Sequence, residues 1–229
     1  MSESAEPSLA AQASSTAEAA RSVAGGLFVT FEGGDGAGKS TQADLLATWL
    51  EAQGYEVVRT RDPGGTPLGS AVRALLLHGD HVDQRAEALL YAADRAQNLA
   101  EVVRPALARG AVVVQDRYID SSLAYQGAGR PLPSSEIREL NEWATEGLWP
   151  QLTVLLDVSP DLAARRRASA GQQADRLERE AAEFHHRVRE GFLALAAAEP
   201  DRFLVLDAAQ EVKELHTQIL SRIATYLAA

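Results

Sequence analysis

The sequence contains no cysteine, which excludes a disulfide scaffold, a cysteine zinc site, an iron–sulfur cluster and thiol catalysis. It also lacks long hydrophobic runs: no stretch approaches the roughly 18 consecutive apolar residues of a membrane-spanning helix, so we expect no membrane partner. Aromatic residues make up only 6% of the 229 residues, yet the chain is 46% hydrophobic and 24% charged. This balance is typical of a globular domain with a sizeable core.

Positive charge is in the minority, since the formal net charge is −10 and the isoelectric point is near 5.0. Such a balance argues against a broad nucleic-acid-binding surface, and we expect no nucleic-acid partner, although a local basic pocket is compatible with it. Lysine is nearly absent. The 22 basic residues include only two lysines, Lys39 and Lys213, so the position of each is informative.

Residues 1–24 are rich in alanine, serine and glutamate and contain few apolar side chains. Such a segment cannot bury enough apolar area to offset the entropy lost on ordering, so we predict a disordered tail ahead of one domain at 25–229. The segment lacks the basic and apolar regions of a secretory signal, and it contains more glutamate than a transit peptide tolerates. We therefore expect a cytoplasmic protein.

From residue 26 onward, short apolar runs alternate with longer helical patterns. The runs are too short for helices and are typical of buried parallel strands, at 27–31, 55–59, 111–115, 153–158 and 203–206. Helical periodicity covers 39–53, 84–109, 134–146, 176–198 and 210–228, and Pro105 is expected to kink or break the second of these. This alternation predicts an α/β fold, with a doubly wound five-stranded parallel sheet flanked by helices.

A glycine-rich loop carries a phosphate-binding motif. Residues 33–40 match G-x-x-x-x-G-K-S between a predicted strand and a predicted helix, which is the context that this motif requires. Glycines let backbone N–H groups approach phosphate oxygens, and the helix N-terminus adds its positive dipole end. Lys39 is expected to contact the β- and γ-phosphates, and the Ser40 hydroxyl to ligate Mg²⁺. The predicted ATP site comprises Gly33, Gly34, Asp35, Gly36, Ala37, Gly38, Lys39, Ser40 and Thr41.

Asp116 follows the run 111–115, at the carboxyl end of a predicted strand. Ligands of open α/β sheets bind at that edge, and a carboxylate beside a phosphate loop matches the Walker-B position that holds Mg²⁺. Arg117 could hold a phosphate through two parallel hydrogen bonds, which lysine cannot form. The alternative from these residues alone is that Asp116 caps the following helix and Arg117 pairs with it.

Four blocks of sequence resemble the bacterial thymidylate kinases (dTMP kinases), a family of P-loop nucleoside monophosphate kinases. They are FEGGDGAGKSTQ at 31–42, RDPGGTPLG at 61–69, DRYIDSSLAYQG at 116–127 and ADRLERE at 174–180. Many families share the first block, whereas the third is highly specific. The resemblance implies the fold of this family, transfer of the γ-phosphoryl group of ATP to dTMP in dTTP biosynthesis, a Mg²⁺ cofactor, and a homodimer formed through helices near 84–109 and 134–148.

The resemblance also implies a binding site for dTMP. Asp35 would bind the 3′-hydroxyl, Asp62 would lie near the acceptor phosphate and its metal, and Arg73 and Arg117 would hold that phosphate. Tyr91 would stack on thymine, where the family usually has phenylalanine. The remaining members are Arg95 at a thymine carbonyl, Ser122 and Gln126 at the base edge, and Tyr125 under the deoxyribose. From the residues alone, Tyr91 could instead belong to the core, and Arg73 could be a solvated helix arginine.

Gly36 stands where some thymidylate kinases have an arginine. The family members that resemble this chain supply the arginine from a lid, and the polar segment at about 163–177 fits that role. A closing arginine would stabilise the charge that builds up on the transferring phosphoryl group. The alternative is a solvated basic helix end paired with Glu178 and Glu180. The arginines of the segment are Arg165, Arg166, Arg167 and Arg176.

We assign Arg166 to ATP and Arg167 to catalysis, although the three consecutive arginines leave open which one enters the site. The predicted catalytic set is Lys39, Asp35, Arg117 and Arg167, and the predicted metal ligands are Ser40 and Asp116. Three alternatives remain for the whole chain: a kinase of the same fold that acts on another (deoxy)nucleoside monophosphate, an ATP-binding regulatory module, and an inactive homologue.

Overall fold

The computed structural model describes residues 21, 23–169 and 175–228. One sheet of five parallel strands forms its centre, in the order β2-β3-β1-β4-β5. The strands are β1 Leu27–Glu32, β2 Val57–Arg61, β3 Val112–Asp116, β4 Leu152–Asp157 and β5 Phe203–Asp207. Strands β2 and β3 lie on one side of β1, and β4 and β5 lie on the other, so the sheet is doubly wound. The predicted fold class is confirmed, and each predicted strand overlaps an observed one.

Helices cover both faces of this sheet. They are α1 Lys39–Ala52, α2 Pro67–His78, α3 Gln84–Asn98, α4 Arg104–Ala108, α5 Ile119–Ser122, α6 Ser134–Thr145, α7 Pro160–Ser169, α8 Ala182–Ala198 and α9 Val212–Leu227. The predicted helix at 84–109 is interrupted by a π-helical turn, Leu99–Val103, directly ahead of Pro105. Proline has no N–H to donate to the preceding turn, which accounts for the interruption. A second π-helical turn, Leu123–Ala128, continues α5.

The central strand β1 is buried on both faces, which explains its nearly continuous apolar sequence. Side chains of a strand alternate between the two faces of the sheet. Leu27, Val29 and Phe31 accordingly pack with α1 and α9, whereas Phe28 packs on the other face, where Ala88 of α3 and Ile137 of α6 also lie.

Part of the predicted tail and part of the predicted lid lie outside the described residues. Of residues 1–24, the structure describes Arg21, Val23 and Ala24; of the lid, it leaves out 170–174. The Arg21 N–H donates to the Gly54 carbonyl at 2.6 Å, and the Val23 N–H donates to the Gly110 carbonyl at 2.9 Å. Arg21 and Val23 therefore lie against the turns that follow α1 and α4. Within the described part of the chain, no helix is long and apolar enough to cross a membrane.

The carboxyl ends of β1, β2 and β3 lie side by side. Phe31 of β1 and Arg61 of β2 are both in register with Asp116 of β3. Each of these strands leads into one of the sequence blocks singled out above. Because the strands are parallel, those three blocks meet at one edge of the sheet.

Candidate active site

The phosphate loop, residues 33–38, joins β1 to α1 and contains four glycines. Gly33 and Gly36 have φ angles of 128° and 84°. A Cβ at Gly33 would lie 2.3 Å from the Leu156 carbonyl oxygen, and one at Gly36 would lie 2.8 Å from the Ala163 carbonyl oxygen. Only glycine fits these two positions. No side chain caps α1, so its first N–H groups remain available to an anion.

Lys39 lies across this loop. Its Nζ donates to the carbonyl oxygens of Gly33 and Gly34 at 3.0 and 2.9 Å, and the residue is only 7% exposed. Burial and the nearby Arg117 guanidinium lower the pKa of Lys39, while Asp35 and Asp116 oppose this effect. The ammonium group is thus fixed beside the loop. The negative charge of a phosphate bound there would compensate the cost of burying the ammonium charge.

Ser40 and Asp116 meet on the other side of the loop, as the metal prediction requires. The Ser40 hydroxyl donates to Asp116 Oδ2 at 3.1 Å. Asp116 Oδ1 is shielded from solvent and has no hydrogen-bond partner among the described residues. Among the described residues, no group of three or more histidine, cysteine or acidic side chains is arranged so that it could hold a metal ion. One carboxylate and one hydroxyl fit Mg²⁺, which takes its other ligands from phosphates and water.

Arg117 links the phosphate loop to the segment after β3. Its Nη2 donates to Asp35 Oδ1 at 2.6 Å and to the Tyr125 hydroxyl at 3.3 Å, and its Nη1 donates to Ser121 Oγ at 3.0 Å. It does not pair with Asp116, and no side chain caps α5, so the alternative for these two residues is wrong. Arg117 has a φ of 68°, a strained value for a non-glycine residue that is often associated with functional sites.

Asp35 is charged at neutral pH. Burial alone would raise its pKa, but the Arg117 guanidinium and the Lys39 ammonium outweigh burial and hold the pKa below the usual range. The Tyr125 hydroxyl donates to Asp35 Oδ2 at 3.3 Å. A carboxylate so held can accept a hydrogen bond from a ligand hydroxyl.

Glu32 supports this arrangement from beneath, and the sequence analysis missed it. The fully buried carboxylate accepts hydrogen bonds from the Tyr118 N–H at 2.7 Å and the Ser121 hydroxyl at 2.6 Å. Burial and Asp120 raise the pKa of Glu32 to about 7, and Arg117 opposes them. Glu32 thereby fixes the segment that carries Arg117 against β1. The available signal was a charged residue at the end of an apolar strand, directly before the glycine loop.

A cavity that is partly open to solvent lies beside Asp35 and Arg117. It brings together every residue that the family resemblance assigned to dTMP. They are Asp35, Asp62, Arg73, Tyr91, Arg95, Arg117, Ser122, Tyr125 and Gln126. Tyr91 also packs in an apolar cluster with Val72 and Leu76, so it belongs to both the core and the cavity wall. Arg73 donates to the Pro63 carbonyl at 3.0 Å and is only partly exposed.

The floor of this acceptor cavity is a buried ion pair. Arg95 Nε donates to Asp62 Oδ2 at 2.9 Å, and each side chain is 1% exposed. Arg95 also donates to Ser122 Oγ at 3.0 Å, to the Tyr118 carbonyl at 2.9 Å and to Asn141. A guanidinium has five N–H groups, so one remains for a ligand. Arg95 and Ser122, which are predicted to recognise the base, are therefore held in place by protein contacts.

Arg167 of α7 contacts the phosphate loop, and Arg166 of α7 lines a cavity beside it. These are the two arginines assigned to catalysis and to ATP. Arg167 Nη1 donates to the Asp35 carbonyl at 2.7 Å. Arg166 Nη2 donates to the Ala208 carbonyl at 2.8 Å. Arg165, in contrast, is exposed. Arg176 lies away from the loop, where it donates to the Leu76 carbonyl at 2.7 Å and to a buried glutamate, Glu87.

The predicted ATP residues line three cavities around the phosphate loop. They are Gly33, Gly34, Asp35, Gly36, Ala37, Gly38, Lys39, Ser40 and Thr41. The cavity that Arg166 lines continues to the start of α9, and the sequence analysis missed this part of the site. Its further members are Gln42, Ala208, Gln210, Val212 and Leu215.

Comparison with known proteins identifies the family. The thymidylate kinase family model matches residues 31–219. The chain is 58% identical over 205 residues to a thymidylate kinase of Clavibacter michiganensis subsp. michiganensis, which covers 89% of this chain and 97% of the relative. It is 60% identical over 200 residues to one of Leifsonia xyli subsp. xyli, with coverages of 86% and 94%. The chain belongs to the thymidylate kinase family.

A solved structure agrees with this assignment. The crystal structure of thymidylate kinase from Ehrlichia chaffeensis superimposes with a TM-score of 0.72 and 34% sequence identity, and it covers 87% of this chain and 98% of its own. Family membership confirms the resemblance drawn from the four sequence blocks and the predicted class of activity, transfer of a phosphoryl group from ATP to thymidylate.

Two further residues, which lie in the quoted thymidylate kinase blocks but were given no role, also line the site. Arg61 and Asp175 face the space between the phosphate loop and the acceptor cavity. Arg61 ends β2 at the same sheet edge as Asp116. Asp116 was predicted to lie in the site because ligands bind at the carboxyl ends of parallel strands, and the same principle could have identified Arg61.

Proposed function

We propose that this site aligns ATP and dTMP for direct, in-line transfer of the γ-phosphoryl group, giving ADP and dTDP for dTTP biosynthesis. One observation carries the proposal: a single cavity collects all nine residues that the family resemblance assigned to dTMP. Four of them also line the space beside the phosphate loop, namely Asp35, Asp62, Arg73 and Arg117. Both substrates are intracellular nucleotides, which supports the predicted cytoplasmic location. Cell fractionation tests that location.

The donor and acceptor phosphates would meet in the space between the two nucleotide cavities. Lys39, Arg73, Arg117 and Asp116 line this space together. Phosphoryl transfer depends on positioning and on neutralising the charge of the phosphates, so the three cations Lys39, Arg73 and Arg117 suit it. The purine of ATP would occupy the cavity that Arg166 lines near the start of α9.

We assign the closing arginine to Arg167. A Cβ at Gly36 would lie 3.4 Å from Arg167 Cγ, so the space that a loop arginine would need is taken by α7. The Arg167 guanidinium already contacts the loop backbone at Asp35. In this assignment α7 is part of the lid, which excludes water and places positive charge on the transferring group.

Mg²⁺ is the metal that the donor set favours. Ser40 Oγ and the Asp116 carboxylate would hold it, and the unpartnered Asp116 Oδ1 supports this. The ion would neutralise phosphate charge beside the ATP phosphates. The residues of this chain do the rest: they bind both nucleotides, orient them and exclude water.

The acceptor assay tests the proposed function. We expect fastest ADP formation with dTMP and a weaker rate with dUMP, among dTMP, dUMP, ribosyl TMP, dCMP, AMP and GMP. Activity should be lost in EDTA and restored by Mg²⁺. A different best acceptor would favour a kinase of the same fold with another substrate. ATP hydrolysis that is indifferent to every acceptor would favour a regulatory module.

We also propose a homodimer that forms through α3 and α6. These neighbouring helices carry Leu89 and Trp143, which are 57% and 81% exposed in the single chain. An interface between two chains through these helices would remove both side chains from water. Sedimentation equilibrium should give twice the chain mass of 24.5 kDa, and Trp143→Glu should give the monomer, whereas Leu45→Glu on α1 should not. A wild-type monomer at micromolar concentration would contradict the dimer.

A further inference from the structure

Glu87 is a buried carboxylate in α3 that the proposed mechanism does not use. It is fully buried, one helical turn before Tyr91. It accepts hydrogen bonds from Gln126 Nε2 at 2.9 Å, from Arg130 Nη2 at 3.3 Å and from Arg176. Burial alone would raise the pKa of Glu87, but these three partners outweigh burial and hold the pKa below its usual value. Glu87 is therefore ionised at neutral pH.

An ionised carboxylate has no proton to donate and can only accept hydrogen bonds. The amide of Gln126 must therefore present its NH₂ group to Glu87. The other end of the amide, Oε1, is then directed away from Glu87. Gln126 is 1% exposed and lines the acceptor cavity. A glutamine without such a partner could rotate its amide and present either a donor or an acceptor, whereas Gln126 is held in one orientation.

We propose that Glu87 is a positioning residue for base selectivity. By holding the Gln126 amide, it directs Oε1 to the base as a hydrogen-bond acceptor. Thymine and uracil present an N3–H donor to such a group, whereas the N3 atom of cytosine is an acceptor and would leave two acceptors facing each other. A site built around a buried hydrogen bond strongly rejects an analogue that cannot form it. This inference rests on the proposed function, in which the cavity binds dTMP.

The two arginines around Glu87 fit this role because each has a second anchor. Arg130 pairs with Glu180 at 2.7 Å, and Arg176 donates to the Leu76 carbonyl at 2.7 Å. Both cations therefore stay in place whether or not a nucleotide is bound, and they keep the carboxylate charged. Because each arginine keeps a second partner, we expect the protein to fold when the charge of Glu87 is removed.

The test is Glu87→Gln, assayed with dTMP and dCMP. Glutamine is nearly the same size, but it offers both a donor and an acceptor, so the Gln126 amide can take either orientation. We expect the ratio of kcat/KM for dTMP to that for dCMP to fall about ten- to a hundred-fold. The KM for dTMP should rise, and the KM for ATP should stay within about twofold. A merely structural role would affect both acceptors alike and leave the ratio unchanged.

Two controls keep this test sharp. Glu180→Gln removes the second partner of Arg130 but does not contact Gln126, so it should leave the ratio at the wild-type value. In a Gln126→Ala background, Glu87→Gln should no longer change the ratio, because its effect acts through that amide. If wild-type protein does not phosphorylate dTMP, the proposed function fails. If wild type selects dTMP over dCMP and Glu87→Gln keeps that selectivity, only the role of Glu87 is overturned.

Discussion

Replacing Lys39 by methionine should lower kcat by about 10²- to 10³-fold, the usual cost of removing one preorganised group that stabilises transition-state charge. Methionine has a similar length but no charge. The wild-type ammonium is fixed by the carbonyls of Gly33 and Gly34, so no reorganisation is needed when phosphate charge develops. Lys39 does not line the acceptor cavity, and the KM for dTMP should change little. Steady-state kinetics with each substrate varied in turn measures both quantities.

The chain offers a matched control, because it contains only one other lysine. Lys213 is exposed on α9 and faces solvent. Lys213→Met should therefore retain wild-type kcat and KM values. Retention of kcat within about tenfold by Lys39→Met would contradict the charge-stabilising role assigned to Lys39.

Arg117→Lys should lower kcat/KM for dTMP by about 10²- to 10³-fold, although it keeps the positive charge. The guanidinium bonds Asp35, Ser121 and Tyr125 at the same time. A single ammonium cannot reproduce that arrangement and also hold a phosphate. The KM for dTMP should rise and kcat should fall, because Arg117 faces both the acceptor cavity and the space where the phosphates would meet.

Arg109→Lys is the corresponding control. Arg109 is about half exposed and pairs with Glu56 at 2.8 Å. It precedes β3 and so lies at the end of that strand opposite to Asp116. Its replacement should leave the kinetics unchanged, since exposed pairs contribute little. Wild-type kcat/KM in Arg117→Lys, measured in the same assay, would show that only the charge at position 117 matters.

The predictions that succeeded from sequence depend on local patterns. The run at 27–31 is apolar without alternation and became β1, which is covered on both faces. Local signals were also overlooked. Thr66 and Pro67 form a helix start, with Thr66 Oγ1 accepting from the Gly69 N–H at 3.0 Å, yet no helix was predicted at α2.

The predicted helix at 176–198 begins late because local contacts of Asp175 and Glu178, together with long-range contacts of Arg176, hold the start of this segment in a turn. The Asp175 N–H donates to Glu178, and the Glu178 N–H donates to Asp175, so the chain forms a closed local turn there. Arg176 is held by the Leu76 and Leu77 carbonyls. The helix therefore starts at Ala182, although the preceding residues favour a helix by composition.

The sequence by itself determined the phosphate loop, the strand that precedes it and the residue types that face the ligands, because glycine spacing and apolar periodicity act over short distances. Only the tertiary structure decided which arginines face the loop. Arg167 reaches the loop because Ala163 packs against Gly36, whereas Arg176 is directed to Glu87. The sequence also gives no sign that Glu87 is buried. Partners far apart in the chain fix these contacts, and only folding brings such partners together.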